Sequence, residues 1–479
     1  MLTYRHWIAP ELAYGRRLQQ RLHGSTKRGY YSINVCFGTP SRAFELVVDT
    51  GSFMTAVPCI NCKTCGEHTH ARRFNANASS TARDCHKNTS RTHSCGSYRM
   101  QYVEGSTISG KIISDLTWLT LHSTGNRSRP GVAVRAYFGC QMHESGLFRA
   151  QHADGILGMA RKGHPANHMT LVRHELVKQH AAPDVFSLCL STSGGLMLLG
   201  GRVRQGSMRS AVARGGVWRV PMAADHNGRY VLRLEAVYVQ QLPSVPEPSA
   251  IAAVTWLGHD EALAAHLAHA VANASTPFVP LPLAAPPSAP AQLKGHHVPM
   301  HAPMLVDSGT SDAYLPLGLW TPLAAYLRAH MQAAGARRVP GDHQVCAYLS
   351  GVQLDSLPRL QLRFADAPNQ PLLVTPQQYM VPIERTGLVL APLRELARRS
   401  GASAAGPRAR YCLAIHSSTE LGDDTTAVLG AAMLRDFEVI FDATGGGGAG
   451  GAITFVPASC GAMTPETSML EESYSFGCQ

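Results

Sequence analysis

The sequence predicts an all-β protein of two similar lobes, and three observations carry that reading. First, two Asp-Gly turns stand far apart, Asp49-Thr50-Gly51-Ser52 and Asp307-Ser308-Gly309-Thr310. Each follows a short apolar run, Leu46-Val47-Val48 and Met304-Leu305-Val306, as at the end of a buried strand. Second, each half later carries an apolar-apolar-Gly step, Ile156-Leu157-Gly158 and Val428-Leu429-Gly430. A glycine there lets an aspartate-bearing turn pass close to the strand. Third, Gly and Pro number 44 and 30 in 479 residues, which suits strands joined by turns and long loops.

Taken in order, Tyr30 to Pro40 alternates apolar and polar residues and breaks at Gly38-Thr39-Pro40, giving a strand and a turn. A second strand, Phe44 to Val48, delivers Asp49. A cysteine-rich loop follows, Cys59-Ile-Asn-Cys62-Lys-Thr-Cys65-Gly-Glu-His68. Tyr98 to Ser109 reads as a hairpin turning near Glu104-Gly105. Strands continue over Ile112 to Leu121 and Val132 to Cys140, then at the glycine-bracketed Ala153 to Ala160. Met169 to Gln179 reads as a helix, and Phe186 to Leu190 and Leu196 to Leu199 as buried strands. In the second half Tyr230 to Val239 alternates well, Pro303 to Val306 leads into Asp307, residues 320–335 read as a helix, and Ile453 to Val456 closes the pattern. Two insertions interrupt it: about 241–300, with a short helix Asp260 to Ala272 and an Ala/Pro-rich tract, and about 385–410. The expected division is 1–28 a leader or propeptide remnant, 29–220 and 221–460 the two lobes, and 461–479 a tail.

The length is ample for two lobes of ordinary domain size. Hydrophobic content of 45% and charged content of 16% fit a globular chain. The net charge of +11 comes from dispersed arginines without interleaved aromatics, so no nucleic-acid partner is expected. The 12 cysteines, an even number, point to disulfides and an oxidising compartment, and sequons at Asn77, Asn88, Asn126 and Asn273 agree. No apolar stretch at the start reads as a signal peptide, and no run is long enough for a membrane span.

One Asp-Thr-Gly by itself is an ordinary backbone-capping turn. Its repetition, with matching approach and matching Gly step, argues for chemistry. Two carboxylates brought together can share one proton, so one acts as base and the other as acid, which suits peptide hydrolysis by water.

These motifs, with the ending Ile453-Thr-Phe-Val-Pro-Ala-Ser-Cys460, resemble the pepsin-like aspartic endopeptidases from about Tyr30 to Cys460. The cysteine loop, Tyr102-Val-Glu-Gly-Ser-Thr-Ile-Ser-Gly110 and Gly139-Cys140-Gln-Met-His143-Glu-Ser-Gly-Leu-Phe148 are similar to the plasmepsin V and nepenthesin-like branch. The resemblance implies a bilobal double β-barrel with a central cleft and a β-hairpin flap. It implies Asp49 and Asp307 as the catalytic pair, acting without a cofactor on polypeptides bound in extended form. Proton sharing is a known property of such dyads and is taken over from them. Thr50 and Ser308 would stiffen the pair, Ser52 and Thr310 would hydrogen-bond the outer carboxylate oxygens, Gly51 and Gly309 belong to the turns, and Tyr102 with Gly105 belongs to the flap. A monomer in the endomembrane system or outside the cell is expected. The chain departs from the family in three places: Ala56 stands where a tryptophan often holds the flap tyrosine, Phe53 replaces a second serine, and Val103 replaces a cysteine.

Some features keep two readings. Glu104 lies two residues after Tyr102 and would favour a basic substrate side chain upstream of the cut, or is simply a solvated hairpin tip. Cys59, Cys62, Cys65, His68 and His70 have spacing that could hold zinc, but disulfides are preferred and no metal is expected. Cys140 is structural or a free thiol. The resemblance pairs Cys346 with Cys412. Asp154 reads as a structural turn acid. No nucleophile elbow of a serine hydrolase appears. The rival to a protease is a catalytically silent protease-fold binding or inhibitor protein.

Overall fold

The computed structural model describes residues 18–68, 72–84, 96–119, 133–161, 172–179, 183–201, 216–241, 278–281, 302–338, 345–383, 408–444 and 451–463. The chain forms two compact units: residues 1–25, 30–230 and 436–479, and residues 26–29 and 231–435. Strands dominate both, so the all-β expectation holds.

The first unit is built on one sheet of 14 strands. Its middle runs Leu18–Ser25, Tyr30–Phe37, Arg42–Asp49, Gly155–Gly158, Ala56–Pro58, Val134–Glu144 and Thr107–Leu119, each beside the next. Tyr30–Phe37 and Arg42–Asp49 pair antiparallel from Ser32↔Val47 to Phe37↔Arg42. Aromatic side chains fill the space over this region. Phe37 lies 4.5 Å from Phe138 and 5.9 Å from Phe44, and Phe74 lies 5.3 Å from Phe138, centroid to centroid. Rings of this size contribute about 1.5–3 kcal/mol each when fully buried. Farther along, Phe186 stacks on Phe441 at 4.7 Å, joining Val185–Leu190 to Phe437–Asp442.

The second unit holds an eight-stranded and a four-stranded sheet. In the first, Val231–Gln240 lies between Ala302–Asp307 and Leu360–Phe364. The second sheet carries the Cys346–Cys412 disulfide between directly opposed residues. The helix expected at 320–335 begins earlier and spans Leu317–Ala333, burying Leu319, Leu323, Leu327 and Met331 at helical spacing. Among the described residues no helix is long and apolar enough to cross a membrane.

The units differ from the expected lobes at both ends. Leu18–Ser25 is not a free leader: it pairs with Ser193–Leu199 on one side and Tyr30–Phe37 on the other. At the other end Phe437–Asp442 and Ala452–Pro457 return to the first unit's sheet and do not close the second. Sequence alternation identifies a strand but says nothing of which sheet supplies its partner. Part of the first insertion is also sheet, since Phe278–Pro280 pairs with Val231–Gln240. The leader before residue 18, the helix Asp260 to Ala272, residues 385–407, the tail beyond 463, His70, and the sequons at Asn88, Asn126 and Asn273 lie outside the described residues.

Candidate active site

The two aspartate turns rest on the same local frame. Arg42–Asp49 runs parallel to Gly155–Gly158 with Asp49 opposite Gly158, and Ala302–Asp307 runs parallel to Ala427–Gly430 with Asp307 opposite Gly430. The glycines are obligatory. A Cβ on Gly158 would come within 2.6 Å of the Met54 nitrogen, and one on Gly430 within 2.0 Å of the Asp312 carbonyl oxygen. Chain beyond each step also fastens the turn. The amides of Met159 and Ala160 donate to the Asp49 and Ser52 carbonyls at 2.8 and 3.0 Å, and those of Ala431 and Ala432 donate to Thr310 and Ser311 at 2.8 and 2.9 Å.

Both aspartates are nearly buried, at 5% and 8% exposure. In each, the amide two residues on donates to Oδ1 at 2.8 Å, Gly51 to Asp49 and Gly309 to Asp307. A carboxyl group so held presents a fixed face. Thr310 Oγ1 donates to Asp307 Oδ2 at 2.6 Å, as the resemblance implied. Ser52 does not do the same for Asp49; its buried hydroxyl makes no well-formed hydrogen bond and lies beside that of Tyr102. Thr50 and Ser308 are fully buried.

The predicted hairpin is present, Ser97–Gln101 against Thr107–Leu119, with a turn over Tyr102 to Ser106. The Tyr102 amide donates to the Ser106 carbonyl and that of Gly105 to the Tyr102 carbonyl, both at 2.9 Å. Gly105 takes φ 92°, a conformation that excludes most side chains. The Tyr102 hydroxyl is buried, and burial first, then the Asp49 carboxylate, push its pKa well above the usual phenol value. It therefore stays protonated and can donate. Val103 and Glu104 at the tip are exposed.

Sequence reasoning left open what replaces the missing tryptophan at Ala56. The structure answers with Phe148, whose ring packs 4.9 Å from that of Tyr102. Ala56, Met54, Tyr98, Ile108, Ile112, Phe148 and Ile156 form one buried cluster, with Phe53 and Tyr102 packed against it. Phe53, which departs from the family's serine, is thus part of the support. Phe148 had been quoted only as part of a motif, and nothing in its local sequence says that it meets Tyr102.

The cysteine loop is disulfide-braced, Cys59–Cys140 and Cys62–Cys65, so its thiols are engaged and Cys140 is structural. Cys189–Cys460 and Cys346–Cys412 are also bonded, and the described residues hold no free cysteine. Asp154 Oδ2 accepts from the Glu45 amide at 2.9 Å and its own amide donates back to Glu45 at 2.8 Å, as a structural acid should. Sequence reasoning missed two ion pairs: His68 with Glu144, and His416 Nε2 with Asp312 Oδ2 at 2.9 Å behind the Asp307 turn.

Comparison with known proteins agrees with this architecture. Residues 31–201 match the family described as Xylanase inhibitor N-terminal. Plasmepsin V of Plasmodium falciparum is 34% identical over 182 residues, 36% of this chain and 29% of that protein. Aspartic protease 5 of Toxoplasma gondii is 30% identical over 206 residues, 38% of this chain and 20% of that protein. Cathepsin D of Homo sapiens is 33% identical over 208 residues, 40% of this chain and 47% of that protein. The matched chain thus spans less than a third of the length of the first two relatives.

Proposed function

We propose that this chain, which belongs over residues 31–201 to the pepsin-like aspartic protease family, is an endopeptidase using Asp49 and Asp307 as its catalytic pair. One observation carries the reading. Two aspartates in different halves of the chain occupy the same frame: strand end, Gly step alongside, Oδ1 held by the amide two residues on. A single such turn is structural; two copies with the same strand frame and the same Oδ1 hydrogen bond are a matched pair of carboxylates.

In the proposed reaction one carboxylate takes a proton from water as the oxygen attacks the peptide carbon. The other, protonated, gives its proton to the carbonyl oxygen. Collapse of the tetrahedral species passes a proton to the leaving amine and breaks the C–N bond. Tyr102 covers the reacting group and keeps out bulk water, and Thr50 and Ser308 brace the pair. Substrates are polypeptides in extended form, for which strand-like binding provides main-chain hydrogen bonds. Glu104, exposed at the hairpin tip, would prefer a basic residue upstream of the cut. The disulfides among the described residues support an oxidising setting, the endomembrane system or outside the cell. The protein acts as a monomer.

The rival is a catalytically silent binding protein, and the description of the matched family as a xylanase inhibitor gives it its support. The test is cleavage of a diverse peptide mixture across acid to neutral pH, read by mass spectrometry, beside Asp49→Asn and Asp307→Asn. Cuts lost in both variants support the protease, and enrichment of basic residues upstream supports Glu104. Absence of variant-sensitive cuts from folded protein favours the rival.

A further inference from the structure

Behind the hairpin lies a buried polar arrangement that the proposed reaction does not use. His68 ends the cysteine loop with its side chain fully buried. Nδ1 lies within hydrogen-bond geometry of the Gln151 carbonyl oxygen at 3.1 Å, while Nε2 lies at ion-pair distance, 3.2 Å, from Glu144 Oε2 without the alignment of a hydrogen bond. One ring thus spans both ends of the segment 144–151, which contains the short helix Leu147–Ala150. Both partners are acceptors only: a carbonyl and a carboxylate. A neutral imidazole has one N–H and can serve one of them; the imidazolium serves both. His68 also sits at φ 49°, in the left-handed region that an L residue adopts only under strain. Its two ring contacts hold it there.

The loop is otherwise fitted closely to this segment. The Gly66 amide donates to Glu144 Oε2 at 3.0 Å, and the Thr64 hydroxyl accepts from the Glu144 amide at 3.0 Å. A Cβ on Gly66 would lie 2.1 Å from the Arg149 carbonyl oxygen. The segment in turn holds the hairpin. Glu144 registers against Ile108, the Thr107 amide donates to Ser145 Oγ at 3.0 Å, the Leu147 amide donates to Ser106 Oγ at 2.9 Å, and Phe148 packs on Tyr102.

We propose that His68 is a positioning residue for Tyr102: its ring, protonated at both nitrogens, clamps both ends of 144–151 and so seats Phe148 against the tyrosine, and it releases them when one proton is lost. The proposal takes Tyr102 to be the covering residue of the function above. The charged groups facing His68 are Glu144, from the strand Val134–Glu144, and Arg73, from the chain after the loop. Tyr98, on the hairpin's first strand, faces Glu144 from the other side. Burial lowers the His68 pKa, Glu144 and the Gln151 carbonyl raise it, and the net direction is upward from 6.5. A raised folded-state pKa means that the clamp is complete below pH 6.5 and is released as pH rises through the folded value.

The test is hydrogen exchange of the intact protein, read by mass spectrometry for peptides covering 97–110 and 144–151. It is run on either side of the His68 titration and corrected for the chemical exchange rate at each pH. In wild type, protection of both peptides should fall by about tenfold as the His68 ring loses its second proton. In His68→Gln it should be low at both pH values, and kcat/KM should lose the corresponding limb of its pH profile. Phe148→Leu should keep the pH dependence in 144–151 and weaken it in 97–110, where the Thr107–Ser145 and Leu147–Ser106 hydrogen bonds still join the segments. Equal protection in wild type at both pH values, or retention of the full pH dependence in His68→Gln, overturns the proposal. Should His68→Gln fail to fold, Glu144→Gln takes its place, and the wild-type profile alone still decides. Asp49→Asn, carried through the same exchange experiment, should show the wild-type pH dependence. A chain that cuts no peptide but keeps that dependence refutes the protease and leaves the clamp standing.

Discussion

The Asp49 and Asp307 turns begin alike and are finished differently. Each has a parallel Gly step and an amide on Oδ1 at 2.8 Å. In the second unit the turn completes its own carboxylate, through Thr310 at 2.6 Å. In the first, Ser52 leaves Asp49 Oδ2 to other groups, and the Tyr102 hydroxyl is drawn from a separate hairpin into the carboxylate's field. One carboxylate is therefore hydrogen-bonded by its own turn at both oxygens, while the surroundings of the other include a hairpin more than fifty residues away. Duplicated turns need not keep equal rigidity when one has acquired a cover.

The largest test of the likeness is loss of either carboxylate. Asp49→Asn and Asp307→Asn should each reduce peptide cleavage by about 10³-fold, within the range of acid–base contributions, with midpoints of thermal unfolding within a few degrees of wild type. Strongly unequal losses would break the equivalence of the two turns.

The next effect is on folding. Gly430→Ala would press a methyl group to 2.0 Å from a backbone oxygen and Gly158→Ala to 2.6 Å from a backbone nitrogen. Each should destabilise its unit by roughly 3 kcal/mol, with Gly430→Ala the worse, as read from urea midpoints. Indifference at either site would mean that the Gly step does not hold the turn.

Thr310→Val against Ser52→Ala isolates the difference itself. The first removes a charged hydrogen bond and should lower kcat/KM about tenfold; the second should change it by less than about twofold. Equal effects would erase the distinction drawn between the turns.

The smallest effect concerns His416, held between Asp312 and, at 3.7 Å, Glu420. Burial lowers its pKa, both carboxylates raise it, and the net direction is upward from 6.5. Its contribution is present below pH 6.5 and is lost as pH rises through the folded value. With Asp312 30% and Glu420 55% exposed on the side chain, solvent screening holds it to less than about 1 kcal/mol. Unfolding midpoints of His416→Gln should therefore lose a shallow pH slope that wild type shows; an unchanged slope would remove His416 from the account of the second turn.

Strand alternation and turn residues made most elements legible from sequence, including Tyr30–Phe37, the hairpin turn at Gly105 and the delivery of both aspartates. These depend on period and on φ, which neighbours in sequence dictate. Phe148 against Tyr102 and His68 against Glu144 were not legible, because each joins residues brought together only by the sheet. His68 entered the sequence reading only as a member of a spacing that could hold zinc, with disulfides preferred, since spacing alone cannot tell a ligand from an ion-pair partner. The return of Phe437–Asp442 to the first sheet was hidden for the same reason.

That return has a consequence for how the protein is made. Val185–Leu190 needs Phe437–Asp442 as its neighbour, and Cys189 needs Cys460, which follows 271 residues later. A ribosome adding about 5–20 residues per second leaves the first unit incomplete for roughly fifteen seconds to a minute, with a hydrophobic strand edge and a thiol waiting. The second unit emerges whole within that interval, so it is free to fold first although it is encoded later. A nascent chain released early would carry an open sheet edge, the surface on which strands of neighbouring copies add.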